Sequence, residues 1–320
     1  MIENGSEPLP FGEFDLIRWI RGRTTAGGST VLGIGDDCAI LKPSAGRELL
    51  VTTDMLMDGR HFRLAEAGPE AVGAKAMGVN LSDVAAMAAR PVAAVVAVAL
   101  PNRGGKAVEI ARGLHAGFLS MAGRFGVALV GGDTNAWDGP LVVCVTVFGE
   151  TTSRGAVRRS GARPGDAIFV TGPLGGSLLG RHLTPEPRVL EALAIHKAVS
   201  LHALIDLSDG LASDLGHILD ESGGLGAVLD PAAIPVHGDA LTMSARTGRT
   251  PLEHALGDGE DFELCFTVSL DDAARLLADP PEPARVFRIG EVVDRSGLWL
   301  RSESGMLTPV PPAGFDHLRR

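Results

Sequence analysis

Four times along this chain an apolar, strand-like run delivers an aspartate. VLGIGDD reaches Asp36 and Asp37, LLVTTD reaches Asp54, VALVGGD reaches Asp133, and ALIDLSD carries Asp206 and Asp209. One such aspartate is an ordinary turn former or helix cap. Four in one chain predict carboxylates gathered at the C-terminal ends of strands, the edge where open α/β sheets take ligands. Asp83 adds to the pattern from a different context. It lies in a helical stretch, AMGVNLSDVAAMAA, with almost no polar face, and Asn80 is three positions earlier on the same side. A carboxylate among Ala, Val, Leu and Met is costly unless it is capped, paired with arginine or bound to a metal. Carboxylates together with hydroxyls at Thr52, Thr53 and Ser208, and no soft-ligand cluster, favour a hard cation such as Mg²⁺ or Mn²⁺.

The segments around these aspartates read as strands alternating with helices. A short amphipathic helix is expected over 13–21, then a strand over 49–53 ending at Asp54. A helix should start near Pro69, run to about Ala89 and stop before Pro91. Strand 92–100, helix 105–124, strand 127–130 and strand 140–149 follow. The stretch 150–166 is basic and turn-rich, and it marks the expected boundary between an N-terminal domain, 1–150, and a C-terminal domain, 151–320. A length of 320 residues fits two domains at roughly 150 residues each. In the second half we expect strand 167–171, a Gly-rich turn (GPLGGS) leading into a helix, strand 203–207, helix 211–221 and strand 226–229. Strand 262–268, helix 270–278 and strands near 285–293 and 298–301 complete the series. This is an α/β reading of the α+β type.

Composition narrows the function. With 29 basic and 39 acidic residues the net charge is −10, the wrong sign for nonspecific binding to nucleic acid or an anionic membrane. Aromatic content of 4% with no Tyr argues against a base-stacking surface. Three scattered cysteines, Cys38, Cys144 and Cys265, form no CxxC and fit a reducing, cytoplasmic setting, with Cys38 and Cys265 expected to pack as small hydrophobes. The first fourteen residues lack the basic and apolar regions of a signal peptide, and the longest apolar run, 92–100, is too short to span a bilayer as a helix. A polyphosphate ligand would need metal ions or backbone N–H groups to offset the acidic balance. Standard nucleotide motifs are absent: there is no GxxxxGK[ST], no GxGxxG at a strand–helix junction, and no kinase HRD or DFG set. Gly-Gly-Asp-Thr at 131–134 and the turn 172–177 could offer amides to phosphate or simply form tight turns. Arg158, Arg159 and Arg163 could meet phosphate or solvate a loop.

Seven stretches nevertheless form a recognisable series. They are GIGDDCAIL (33–41), TTDMLMDGRHF (52–62), KAMGVNLSDVAAMAARP (75–91), GGDTN (131–135), RSGARPGD (159–166), IDLSDGLASDLGHI (205–218) and GEDFELCFT (259–267), with GEF near residue 12 and GFDHL near 314. In order and spacing this series resembles the thiamine-monophosphate kinase family, within the wider superfamily of aminoimidazole ribonucleotide synthetase. The resemblance implies a two-domain fold whose N-terminal domain pairs in a homodimer to form a β-barrel. It implies γ-phosphoryl transfer from ATP to thiamine monophosphate, giving thiamine diphosphate and ADP. By motif, Asp37, Thr52, Thr53, Asp54, Asp83, Asp133, Asp206 and Asp209 would hold several Mg²⁺ ions. Gly132, Asp133, Arg159 and Ser208 would hold ATP, and His61, Glu260 and Phe315 would contact thiamine monophosphate. The chain departs from the family's usual Gly-Gly-Glu-Asp-Tyr-Glu-Leu at Asp258 and Phe262, and from a terminal Tyr of some relatives at Phe315. These departures bear on contacts to thiamine. The alternatives are another ATP-dependent enzyme of the superfamily and a non-catalytic metal- and nucleotide-binding maturation partner. A selenophosphate synthetase would want a reactive Cys-Lys loop before residue 33, and none is present.

Overall fold

The computed structural model describes residues 13–25, 27–34, 38–102 and 104–311. Its elements in chain order begin with α1 (Glu13–Arg21), β1 (Thr30–Leu32), β2 (Ile40–Leu41), β3 (Leu49–Met57), α2 (Leu64–Ala86), β4 (Arg90–Pro101), α3 (Ala107–Arg124), β5 (Ala128–Trp137) and β6 (Val142–Glu150). They continue with β7 (Ala167–Val170), α4 (Val189–Ala198), β8 (Leu201–Asp206), α5 (Leu211–Glu221), β9 (Gly226–Leu229), α6 (Gly238–Thr247), α7 (Pro251–Gly257), β10 (Leu264–Val268), α8 (Leu270–Ala278), β11 (Phe287–Val293), β12 (Gly297–Arg301) and β13 (Leu307–Pro309).

Before residue 151, β1 and β2 form a small antiparallel pair and β3 to β6 form a four-stranded sheet in the order β3-β6-β4-β5, parallel only between β4 and β5, where α3 makes the crossover. Strands after 166 form a seven-stranded sheet in the order β13-β12-β9-β11-β7-β10-β8, parallel only between β12 and β9. The two larger sheets are therefore mixed, and neither closes on itself among the described residues.

Strand periodicity decides which side chains meet. On β7, Ala167 and Phe169 join one core while Ile168 and Val170 join another. On β8, Leu204 belongs with the first and Ile205 with the second. The first core is shared by both halves of the chain. It joins Val72, Met77 and Leu81 of α2 and Val143, Val145 and Val147 of β6 to Phe169, Leu204 and Phe266 of the larger sheet.

Helix α2 lies between the two sheets, which explains its lack of a polar face. Its regular part starts where the proline signal placed it. Gly68 sits at φ 76°, a left-handed conformation that interrupts the helix, and Pro69 opens the continuous run. Strands β3 and β5 run longer than the sequence reading allowed, so Asp54 and Asp133 are mid-strand residues, not terminal ones. The Gly-rich turn leads into two short 3-10 turns, Ser177–Leu179 and Arg181–Leu183, and the next α-helix is α4. Cys265 is buried, and burial pushes its thiol far from ionisation, whereas Cys38 is exposed instead of packed.

Candidate active site

Alternation along β3 sends Leu50, Thr52, Asp54 and Leu56 inward, while Leu49, Val51, Thr53, Met55 and Met57 face outward. The inward face meets α2. Thr52 Oγ1 donates a hydrogen bond to Asp83 Oδ2. One position earlier on α2, Ser82 Oγ donates to Asp206 Oδ2 at 2.6 Å. Asp206 is the last residue of β8 and shares the α2-facing side with Leu204. Three elements far apart in sequence thus converge on one cleft of about 460 Å³, lined by Thr52, Asp83, Asp206, Arg158, Arg159 and Ser160 among others.

The electrostatics of this cleft are those of crowded, desolvated carboxylates. Burial, and then the charge of Asp83, pushes Asp54 up to about 6. Burial raises Asp83 as well, opposed by the Thr52 hydrogen bond and the Arg159 guanidinium. Asp206 is pushed up to about 7, chiefly by burial and next by Asp83. Asp214, buried in the first turn of α5, is pushed up to about 8 by burial and then by Asp206. Oxygen donors only, dense negative charge and hydroxyls that orient single carboxylate oxygens fit hard divalent cations. Among the described residues no three His, Cys, Asp or Glu side chains already converge as a coordination shell. Ions here would complete their coordination with phosphate oxygens and water, as Mg²⁺ commonly does.

Behind the cleft, two loops are laced together. The Asp214 carboxylate accepts the amides of Asp209 and Gly210, both at 3.0 Å, and so fixes the Ser-Asp-Gly turn. The amide of Glu260 donates to Ser208 O at 2.7 Å, and that of Phe262 to Leu207 O at 2.9 Å. Glu260 and Phe262 both hold left-handed backbone, φ 51° and 53°. Non-glycine residues kept there cost about 1–3 kcal/mol each and cluster at functional loops.

Glu260 opens onto a second cleft of about 350 Å³ that also contains His61, His182, Arg60 and Arg63. His61 Nδ1 accepts the Met57 amide at 3.0 Å. His182 Nδ1 lies 3.1 Å from Ser177 O, so it carries the proton there. Burial and the nearby Lys75 ammonium keep His182 from taking a second one. The structure therefore unites His61 with Glu260, and Thr52 and Asp54 with Asp83 and Asp206, while Arg159 lines the wall facing Asp83.

Other candidates lie elsewhere. Gly132 and Asp133 line a separate, largely apolar groove beside α1 and α3. A Cβ on Gly132 would stand 2.2 Å from Val96 O, so close approach of β4 and β5 explains that glycine. The Thr53 hydroxyl bonds Thr146 Oγ1 and Val145 O on the outer face, away from Asp83. The turn 172–177 is no phosphate cradle: the amide of Gly175 is taken by Asp261 and that of Gly176 by Asp258. Asn80 does not pair with Asp83; its Nδ2 donates to Ala76 O within α2. Arg163 is exposed, and its amide caps Asp166. Asp37 and Phe315 lie outside the described residues.

Sequence reasoning missed Ser82, Lys75, Asp214 and His182. Ser82 and Lys75 sat unremarked in the all-apolar helix that singled out Asp83, and burial of a polar residue was the available signal. The unusual residues at 258 and 262 fall outside the second cleft's lining. Asp258 serves a buried network with His254, Arg249 and the Gly176 amide, and Phe262 belongs to the core.

Residues 35–151 match the family of AIR synthase related proteins, N-terminal domain. The chain is 43% identical over 312 residues to a thiamine-monophosphate kinase of Rhodopirellula baltica, covering 95% of this chain and 97% of that one. The chain belongs to the thiamine-monophosphate kinase family. Members of known structure agree. The crystal structure of thiamine-monophosphate kinase from Stenotrophomonas maltophilia superposes with a TM-score of 0.76 at 36% identity, covering 90% of this chain and 96% of that one. A structure of AaThiL complexed with AMPPCP and TMP superposes with a TM-score of 0.74 at 28% identity, covering 98% and 99%. The chain is thus a thiamine-phosphate kinase with the two-domain architecture of its superfamily. No described helix is long and apolar enough to cross a membrane.

Proposed function

We propose that the protein transfers the γ-phosphoryl group of ATP directly to thiamine monophosphate, releasing thiamine diphosphate and ADP. The observation that carries this reading is the placement of two unlike clefts along one helix. Lys75 of α2 is hydrogen-bonded to two walls of one cleft, His61 and Glu260, and Asp83 lines the carboxylate cleft. Eight helical residues separate them, a rise of about 12 Å at 1.5 Å each. That span suits a small molecule whose organic part lies in one cleft while its phosphate reaches the other. The relative AaThiL, solved with AMPPCP and TMP, supports both substrates.

In this reading Glu260, His61 and Phe315 hold the thiamine portion and Arg159 and Ser208 hold ATP, with Gly132 and Asp133 of the separate groove not reaching the same cleft of this chain. Thr52, Asp54, Asp83, Asp206 and Asp209 would hold Mg²⁺, which would supply charge neutralisation between two polyanions; Thr53, on the outer face, and Asp133, in the separate groove, could join them only in another arrangement than this one. Thr52 and Ser82 orient the carboxylates of Asp83 and Asp206. Arg159 lines the same cleft, and its guanidinium would meet phosphate there. The attacking group is a phosphate oxygen, anionic at neutral pH, so no side chain need remove a proton. Catalysis is then positioning and charge compensation, as for phosphoryl transfer generally. Incubation with ATP, Mg²⁺ and thiamine monophosphate should yield ADP and thiamine diphosphate by mass. Chiral γ-thiophosphate ATP should give inversion at phosphorus; retention would require a phosphoenzyme.

The same reading includes a cytoplasmic homodimer. The outward row Leu49, Val51, Met55 and Met57 on edge strand β3 is exposed, from 40% to 64%. Such a strand needs cover, and a second copy laid on it would extend the sheet toward a barrel. A monomer by light scattering at micromolar concentration would contradict this.

A further inference from the structure

Lys75 is wholly buried in the middle of α2, where the surrounding core would accept a methionine. An ammonium there is costly unless its donors are met. Two are. Nζ donates to Glu260 Oε1 at 2.7 Å and to His61 O at 3.0 Å. Both acceptors belong to the walls of the 350 Å³ cleft, one from the N-terminal half of the chain and one from the C-terminal half. Lys75 itself does not line the cleft.

The Glu260 side chain is only 26% exposed, and its other oxygen, Oε2, takes no hydrogen bond from the described protein. Its backbone, in left-handed conformation, is tied to Ser208 O. One carboxylate oxygen is therefore anchored and the other remains for a ligand. The His61 carbonyl, held by the same ammonium, fixes the turn at 58–62 whose imidazole enters the cleft. Without the lysine, Glu260 would be free to swing toward water and the two walls would lose their common anchor.

We propose that Lys75 is the positioning residue of the acceptor cleft: it locks Glu260 and the His61 turn in the geometry that receives the acceptor's cationic heterocycle. The proposal rests on the reading of this cleft as the thiamine monophosphate site. It also explains how an anionic acceptor can approach a glutamate, since the ammonium offsets that charge without occupying the cleft.

The test is steady-state kinetics of Lys75→Met, Glu260→Gln and the double variant, with saturating ATP and Mg²⁺. Each single change should raise KM for thiamine monophosphate about tenfold or more, with KM for ATP within about threefold. The double variant should be little worse than the poorer single one, because both remove the same clamp. A merely structural lysine would lower the folded fraction and leave KM unchanged, or its loss would add to that of Glu260→Gln; either result overturns the proposal. Should Lys75→Met fail to fold, Lys75→Gln, which keeps a donor without the charge, serves the same cycle with the same expected coupling. Wild-type protein that cannot phosphorylate thiamine monophosphate would remove the functional reading and this assignment together. Wild-type turnover with additive losses removes this assignment alone.

Discussion

Two sets of buried carboxylates in this molecule are treated in opposite ways. Around the loop at 258–263 each acid has a cation of its own. Glu263 is clasped by Arg188, Asp261 by Arg181, Asp258 by Arg249 and His254, and Glu260 by Lys75. In the other cleft Asp83 and Asp206 have only hydroxyls at hydrogen-bond distance among the described residues, and the charge of Asp83 raises the proton affinity of both Asp54 and Asp206. The first set is ion-paired by the chain itself, whereas the second has no ion-pair partner among the described residues and feels only the more distant Arg159 guanidinium, as suits a site that would take metal ions. The contrast separates Asp258, Asp261 and Glu263, which hold the fold, from acids that await metal ions; Glu260, paired through one oxygen and lining the second cleft, stands between the two.

The largest effect should come from Asp83→Asn. Losing one charge from the uncompensated set should lower kcat by about 10²–10³-fold, the scale of a lost electrostatic stabiliser. The same change should leave the metal-free protein at least as stable as wild type in thermal melts, because it relieves repulsion. Near-normal activity at saturating Mg²⁺ would remove Asp83 from the site. Glu263→Gln should behave in the opposite sense. It breaks the paired set, leaves Arg188 without its partner and should cost about 3 kcal/mol in denaturant unfolding. Turnover per folded molecule should stay near wild type; a selective loss of turnover would blur the contrast.

A smaller, graded effect concerns pH. Folding raises Asp54 to about 6 and Asp206 to about 7, above the ordinary carboxylate value of 3.8. Between about 4 and 7 the folded protein holds more protons than the unfolded chain, so stability must fall as pH rises through that window. Metal-free melts should show this decline and added Mg²⁺ should flatten it. The Mg²⁺ needed for half-maximal activity should rise as pH drops below 7. A metal-free protein that gains stability from pH 5 to 7 would contradict the assignment. The smallest effect is expected for Phe262→Tyr. A hydroxyl placed in that core without a partner should cost about 1–3 kcal/mol, with KM for thiamine monophosphate unchanged. An improved KM would bring residue 262 into the cleft after all.

How much of this was legible in the sequence follows from period and burial. The strand and helix alternation placed α5, β9 and α8 at their observed bounds, and Pro69 marked the start of regular helix in α2. Mid-strand Asp54 and Asp133 were misplaced because polar residues inside a strand look like its end. The antiparallel order of the larger sheet was not readable, since pairing joins β7 to both β10 and β11 across about a hundred residues. Helices α4, α6 and α7, of ten, ten and seven residues, were too short to stand out from the loops around them. In the site, Asp83 stood out because it is acidic in an apolar helix. Lys75 met the same criterion, and its partner Glu260, 185 positions away, is what gives it meaning.

The central claim is that the uncompensated aspartates await metal ions beyond the one that accompanies ATP. The most direct measurement is the initial rate of ADP release with thiamine monophosphate, followed as free Mg²⁺ rises while MgATP is held constant and saturating. The account predicts that the rate keeps climbing with free Mg²⁺, and that Asp83→Asn abolishes the climb. A rate that saturates as soon as MgATP has formed, with no further response to free Mg²⁺, would contradict it.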